Sequence, residues 1–448
     1  MNSTWIKHHI VLSVVALILG FLTIRGVIGA IASGGPITLK EIVLSAVSQN
    51  VRKDTNGHTN ILLLGVGGEG HDGSNLTDTI IIASVDGKNK SVAMLSVPRD
   101  LYVNNPEVGW GSRINGVYQF ILDKTGENKE KAAQVLIEQV ESIFGIEIQY
   151  YARVDFTGFV EVVDAIGGIE VNPEIPLIDP FYPGPDGSLQ LFDPLYISAG
   201  PQTLDGEMAL KYARSRETTS DFERAKRQQE VLVAMKEKAL RIGFLLNPLK
   251  LKNLYNALSQ NFETNMTVSE MIYLAKNEAS ILHEVFSDLA YTPGGFLFTP
   301  DRNLYGGAFV LTPISGDFSE LNAFAQLFLF HQDVYKNQTP IAVYNGTSSE
   351  GLAVDLKLYL KRYGFNVVEH GNALEKPVEN TRVFVNKEPS DADKATLDLL
   401  EEIIPAEYSD DISNEYAGEG VIVIVLGEDF MDFYNENSAK FYDFNYYQ

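Results

Sequence analysis

The 448-residue chain has no cysteine, which excludes disulfides, thiolate metal sites and a cysteine nucleophile. Basic residues are scarce: 35 Lys and Arg stand against 59 Asp and Glu, giving a formal charge of −24 and a pI near 4.7. So acidic a chain lacks the positive surface that general nucleic-acid binding needs, and no nucleic-acid partner is expected. Seven histidines without a His-Glu-x-x-His pair give no metal-binding helix, and no Gly-x-Ser-x-Gly elbow supports a serine hydrolase. The 45% hydrophobic content excludes a wholly disordered chain, and the length predicts two or three domains.

Long apolar runs are rare too, and one stands out. Ile10 to Ala32 is almost wholly apolar over 23 residues, with a single charge at Arg25. About 20 such residues cross a bilayer as a helix, and an arginine near the end can reach the headgroups. Lys7, with His8 and His9, favours an amino terminus on the inside. The expectation is a single-pass anchor in the cytoplasmic membrane over 10–32, with residues 1–9 inside and the bulk of the chain extracytoplasmic. The alternative is a cleaved signal peptide, with an apolar core Ile10 to Ile24 and a cleavage site at Ala30-Ile31-Ala32. Both readings export the remainder.

Residues 33–58 read as a stalk and 59–332 as an α/β domain, a mixed sheet flanked by helices. Asn60 to Gly65 is a short apolar run that stops at glycines, as a buried strand does, and a glycine-rich loop follows to Gly73. Thr79 to Val85 and Ser91 to Val97 are strand-like runs joined by Asp86-Gly-Lys-Asn-Lys90, a hairpin signal. Glu127 to Phe144 has helical spacing, Ile148 to Val154 reads as a strand, and Phe156 to Ile166 as a helix ended by glycines. The Pro- and Gly-rich stretch 173–201 is expected as a long loop bordering a site, and Leu204 to Tyr212 and Asp221 to Leu240 as helices. Short apolar runs over 284–318 predict strands completing this domain, with a boundary in the polar stretch 332–338. Strands and helices then alternate over 339–428, a small α/β domain. The acidic, aromatic tail 429–448 is expected to fray.

Chemistry concentrates where arginines gather against the acidic background. Arg214 and Arg216 are two apart, so an extended segment would aim both from one face. With Asp221 as a cap, Arg224, Arg227 and Gln228 share one face of the next helix. Guanidiniums converging at such a junction suit the planar acceptor edges of a diphosphate. Val231 and Met235 continue the same face, so a charged head with an oily tail behind it would be matched. Asp78 precedes one hairpin strand and Pro98-Arg99-Asp100 follows the other, which predicts Asp78 and Arg99 on one rim. There an arginine can stabilise phosphate charge and an aspartate can hold Mg²⁺ through oxygen.

Asn60-Ile-Leu-Leu-Leu-Gly65, Thr77-Asp-Thr-Ile80, Leu95-Ser-Val-Pro-Arg-Asp100, Arg113-Ile-Asn-Gly116, Val154-Asp-Phe-Thr-Gly-Phe159 and Val163-Asp-Ala-Ile-Gly-Gly168 resemble the LytR-CpsA-Psr family, in the family's own order. Gly206 to Arg216 and Arg224-Ala-Lys-Arg-Gln-Gln229 extend the resemblance, which covers roughly residues 58–240. Ile341-Ala-Val-Tyr-Asn-Gly-Thr347 and the helix after it are similar to a C-terminal domain that many members carry. The resemblance implies a membrane-anchored extracytoplasmic phosphotransferase. Such enzymes move a glycopolymer from a polyprenyl-diphosphate carrier to peptidoglycan, with Mg²⁺ or Mn²⁺ assisting and the lipid in an apolar tunnel. It implies Arg99, Arg214, Arg216, Arg224 and Gln228 as head-group binders and Asp78 as the metal-linked aspartate.

Two positions depart from the family pattern. Gly67 stands where a metal-binding aspartate is usual, and Leu76 where an arginine is usual. Glu69, His71 and Asp72, in the same loop, are the candidate replacement ligands. Two other functions fit the same residues: a pyrophosphatase in which water replaces the acceptor, and a non-catalytic protein that binds lipid-linked glycan. Asp78, Asp100 and Asp221 remain open as the general base.

Overall fold

The computed structural model describes residues 51–441 except 72, 183–192, 216–226, 229, 236, 239–260, 267–269, 271–272, 275–282, 289–294, 414–415 and 417–419, with backbone alone for 283–288 and 410–411. The expected anchor over 10–32 lies outside the described residues. Among those described, no helix is long and apolar enough to cross a membrane. The chain divides into two compact units between Asp288 and Leu289.

In the first unit, β1 (Thr59–Val66), β2 (Thr77–Asp86) and β3 (Ser91–Ser96) come first, followed by the short pair β4 (Tyr102–Asn104) and β5 (Gly111–Arg113). Then come β6 (Tyr150–Asp155), β7 (Ile169–Val171), β8 (Leu177–Asp179), β9 (Leu195–Ile197), β10 (Gln202–Leu204), β11 (Phe262–Thr264) and β12 (His283–Asp288). A mixed sheet runs in the order β11-β6-β1-β2-β3-β12, with β1 parallel to β6 and β3 parallel to β12. The expected β2–β3 hairpin forms, and the Asp86 carboxylate closes its turn by accepting from the amides of Lys88 (2.9 Å) and Asn89 (3.1 Å).

Four described helices flank this sheet: α1 (Asn115–Lys124), α2 (Lys129–Phe144), α3 (Phe156–Ala165) and α4 (Gly206–Arg214). Side-chain oxygens of Asn128, Asp155 and Asp205 accept from amides in the first turns of α2, α3 and α4, fixing where each begins. Alternation along the strands places Leu63, Ile81 and Ala152 on one face. They join a core with Val163 of α3, Ala209 and Ala213 of α4, and Val231 from the helical residues 230–235.

The first unit departs from expectation at both ends and in the middle. The end of the stalk is part of the fold: Val51 joins the core, and the Asp54 carboxylate accepts from the His58 amide (2.8 Å) and the Asn60 side chain (2.8 Å). Residues 173–201 contain an antiparallel ribbon, β8 with β9, whose Leu177, Leu195 and Ile197 are buried. Helix α1 had no counterpart in the sequence reading. Among the described residues of the 284–318 stretch, only β12 joins the sheet.

The second unit takes up the rest of that stretch. A small pair, β13 (Leu297–Phe298) and β14 (Thr312–Pro313), precedes α5 (Ser319–Phe330) and α6 (Gln332–Asn337). The polar 332–338 segment holds the short helix α6. An aromatic cluster holds this region in the second unit: Phe296 and Phe324 (ring centroids 5.0 Å apart) pack with Tyr363, at 5.5 Å from Phe296. The wholly buried Arg362 pairs with Glu320 at 3.5 Å.

Beyond it, β15 (Ile341–Asn345), β16 (Val367–Asn372), β17 (Arg382–Val385), β18 (Glu407–Ile412) and β19 (Ile422–Leu426) form a sheet in the order β16-β15-β19-β17-β18. Helices α7 (Leu352–Arg362) and α8 (Asp391–Ile403) connect these strands, giving the expected small α/β arrangement plus the unforeseen β18. The tail begins in order: α9 (Phe430–Glu436) buries Phe430, and Phe441 stacks on Tyr359 at 4.9 Å.

Candidate functional site

The parallel strands β1 and β6 end side by side, Gly65 opposite Val154 and Val66 opposite Asp155. Ligands of open α/β sheets bind outside such carboxyl ends. Two groups of side chains collect there.

The first is the rim expected from the hairpin ends. Arg99 Nη1 donates to Asp78 Oδ1 at 2.6 Å, with side-chain exposures of 22% and 40%. Asn115 Nδ2 also donates to Asp78 Oδ1, at 3.4 Å, and the Asn115 amide donates to the Arg99 carbonyl. Asp100 lies 3.4 Å from Arg99 Nε and 3.2 Å from Arg113 Nη1. Acid and base thus alternate along the rim, and Arg99 is held by carboxylates on two sides.

The second group surrounds a narrow apolar cavity of about 150 Å³ between the sheet and the helices. Leu63, Ile81, Ala152, Val162, Ala213 and Val231 are among its lining side chains. Arg214, Gln228 and Asp155 are polar members of the same lining, and Thr79, next to Asp78, belongs to it as well. Gln228, Val231, Leu232 and Met235 share this cavity, the polar-to-apolar succession expected along that helical face. Arg214 lies with its guanidinium carbon 4.1 Å from the Phe156 ring centroid and 5.8 Å from that of Tyr182. That stacking fixes the charge while leaving its planar edge for an anion.

Several expected site residues stand elsewhere. Arg214 is the last residue of α4 rather than part of an extended segment. Arg216, Arg224, Asp221 and Asp72 lie outside the described residues. Arg227, expected on the diphosphate, is only 6% exposed: its Nε donates to the Tyr212 carbonyl at 2.9 Å and its Nη2 to the Ser215 carbonyl. The end of α4 leaves carbonyls without helical partners, and Arg227 satisfies them.

The two described candidate ligands of the glycine-rich loop, Glu69 and His71, line different clefts. His71 packs edge-on against Phe156 at 5.1 Å. Burial lowers its pKa, Arg214 lowers it further, and Asp155 opposes them. A Cβ at Gly67 would lie 3.1 Å from that of His71, so His71 crowds the place of the family's usual aspartate. Glu69 lies on the wall of a separate polar cleft. Among the described residues no three His, Asp or Glu side chains gather as a metal cage. Of the described candidates, Asp78 stands on the rim beside Arg99, a setting that would suit a cation completing its shell with phosphate oxygens and water, as Mg²⁺ does.

Asp155 had no role in the sequence reading beyond its motif. Its carboxylate caps α3 through the Gly158 amide at 2.9 Å, and burial raises its pKa while that bond and Arg153 oppose the rise. Its signal was an acidic residue ending a buried strand directly before a helix.

The LytR_cpsA_psr family matches residues 36–290, and a second family, described as LytR cell envelope-related transcriptional attenuator, matches residues 338–430. Cell wall biosynthesis protein LcpA of Corynebacterium glutamicum is 27% identical over 385 residues, 77% of this chain and 69% of LcpA. The polyisoprenyl-teichoic acid–peptidoglycan teichoic acid transferase TagV of Bacillus subtilis is 30% identical over 233 residues, 51% of this chain and 55% of TagV. The crystal structure of B. subtilis TagU aligns with 60% of this chain and 94% of its own, at 23% identity and a TM-score of 0.42.

Proposed function

The chain belongs to the LytR_cpsA_psr family, and from that premise we propose that it transfers a glycopolymer from a polyprenyl-diphosphate carrier to peptidoglycan through a phosphodiester bond. The observation that carries this reading is the apolar cavity whose lining includes the stacked guanidinium of Arg214 and the amide of Gln228. The polyprenyl tail occupies the cavity and the diphosphate lies at Arg214, Gln228 and Arg99. The names of TagV and LcpA, a teichoic acid transferase and a cell wall biosynthesis protein, support the same chemistry.

An acceptor hydroxyl attacks the phosphorus that bears the glycan. A new P–O bond forms as the bond from that phosphorus to the bridging oxygen breaks, and polyprenyl phosphate leaves with the electron pair. The hydroxyl proton passes to a carboxylate at the strand ends. Such transfers depend on positioning and on charge stabilisation, which the guanidiniums of Arg99 and Arg214 supply. Mg²⁺ or Mn²⁺, held by Asp78 and phosphate oxygens, would neutralise diphosphate charge. The segment 10–32 anchors the chain in the cytoplasmic membrane with the folded units outside, where the acceptor is.

The test supplies the full chain in lipid with a labelled polyprenyl-diphosphate oligosaccharide, Mg²⁺ and peptidoglycan. Label should move to peptidoglycan, and Arg99→Ala should slow transfer by about 10²–10³-fold. Label released into water would make the protein a pyrophosphatase. Label that stays on a demonstrably bound lipid would leave it a binding protein.

A further inference from the structure

A second, larger cleft of about 960 Å³ opens beside Asp155, which lines both it and the apolar cavity. The loop Gly68–Gly70, the start of α2 and the first turns of α3 form its walls. Its position is set closely. Gly68 has φ +84°, and a Cβ there would fall 2.9 Å from that of Asp155, so the loop reaches its contact with Asp155 only as glycine.

The cleft differs in charge from the arginine-bearing cavity. Four carboxylates border it, Glu69, Glu127, Asp155 and Glu161, against two cations, Lys129 and Arg153. Both cations are engaged by one acid: Glu263 Oε1 lies 2.6 Å from Lys129 Nζ and 3.0 Å from Arg153 Nη1. A diphosphate or an anionic polymer is therefore repelled. Ser74, Asn75, Thr157 and Asn261 add hydroxyl and amide groups, so the lining offers donors and acceptors in mixture. Arg153 also points to a ligand. It is 4% exposed, borders the cleft, donates Nη2 to Asn75 Oδ1 at 2.7 Å, and has a buried Nε that meets no acceptor among the described residues. Buried donors are normally matched, and a hydroxyl oxygen in the cleft would match this one after a small turn of the guanidinium.

We propose that this cleft seats the acceptor, an uncharged stretch of glycan strand, and delivers its hydroxyl past Asp155 to the diphosphate. The assignment rests on the transfer reading above and adds to it a division of labour by charge. Arginines take the anionic donor, and a carboxylate- and amide-lined cleft of small-molecule size takes the neutral sugar.

Two variants of the full chain test it: Ser74→Trp, which fills the cleft, and Asn261→Ala, which removes an amide. The acceptor KM should rise at least tenfold in the first and at least threefold in the second, while the donor KM stays within twofold. A rise in donor KM instead would place the donor's own glycan in the cleft and overturn the proposal, as would no change in either. A binding arm needs no turnover: peptide-free, N-acetylated glycan-strand oligosaccharides are titrated onto the wild type and Ser74→Trp. Binding by the wild type that is lost in the variant supports the cleft even if transfer is never seen, in which case the reaction assignment alone fails. No wild-type binding at millimolar oligosaccharide overturns the cleft.

Discussion

Ala213→Leu tests the cavity in two ways at once. Ala213 is buried on α4 and lines the space of about 150 Å³ assigned to the polyprenyl tail. Leucine adds three carbons there. At about 0.8 kcal/mol for each buried CH₂, the empty protein gains up to about 2.4 kcal/mol, because void becomes contact and alanine and leucine are both good helix formers. In a unit of this size that raises Tm by about 5–10 °C, at 2–4 °C per kcal/mol. The same three carbons displace an equal part of the lipid, weakening tail binding by about 2.4 kcal/mol, or about 60-fold. Thermal unfolding and displacement of a labelled polyprenyl phosphate from the full chain read the two effects. Stability and affinity should move in opposite directions, the mark of a cavity kept open for a ligand. A fall in Tm would show that the space is already filled, since overpacking costs about 1–3 kcal/mol. Unchanged lipid affinity would put the tail elsewhere, and either result refutes the reasoning.

Arg227→Met should destabilise the first unit by about 2–3 kcal/mol in denaturant titration, because it strands the carbonyls of Tyr212 and Ser215, with little change in donor affinity once folded. His71 should titrate below its ordinary value of 6.5 in NMR, and Arg214→Gln should raise its midpoint by removing the second cause of the shift. The sign for stability follows: a folded state that resists protonating His71 loses stability as pH falls below about 6.5, and His71→Gln should flatten that loss. The triple variant Glu69→Gln, His71→Gln, Asp72→Asn should keep the Mg²⁺ dependence of transfer. A large rise in the Mg²⁺ needed for half-maximal rate would return those residues to the metal shell.

Much of the first sheet was legible because its strands are short apolar runs closed by recognisable turns. Helix α1 was not. Asn115-Gly-Val-Tyr-Gln-Phe-Ile-Leu mixes β-branched and aromatic residues that favour strands, and only packing of Val117, Tyr118, Ile121 and Leu122 makes it helical. The helix in the polar 332–338 stretch was hidden for the converse reason, since a surface helix needs few apolar residues and Val334 and Tyr335 suffice to dock it. At the site, the Asp78–Arg99 pair followed from hairpin geometry. The fate of Arg227 did not. Spacing sets which face a side chain leaves from, but the carbonyls at the end of α4 were visible only once that helix had an end.

The rim's charge balance leads to a last prediction. Arg99 is bound to Asp78 at 2.6 Å and lies 3.4 Å from Asp100, so an arriving diphosphate must compete with carboxylates for it, on a chain already carrying −24. The proposed cation, shared by Asp78 and the phosphates, would convert that competitor into a partner. Asp78→Asn should therefore have opposite effects with and without metal. In chelator the variant binds the lipid diphosphate more tightly than the wild type. The gain is about 1 kcal/mol, or about fivefold, the value of a partly exposed ion pair released from competition. With Mg²⁺ the order reverses, because the wild type gains a bridged cation and the variant does not. Equilibrium binding of a labelled polyprenyl diphosphate, with and without chelator, reads all four affinities without turnover. If the variant binds more weakly in both conditions, Asp78 serves to position Arg99 rather than to compete with the substrate. If the two proteins respond equally to Mg²⁺, the cation is held by other groups.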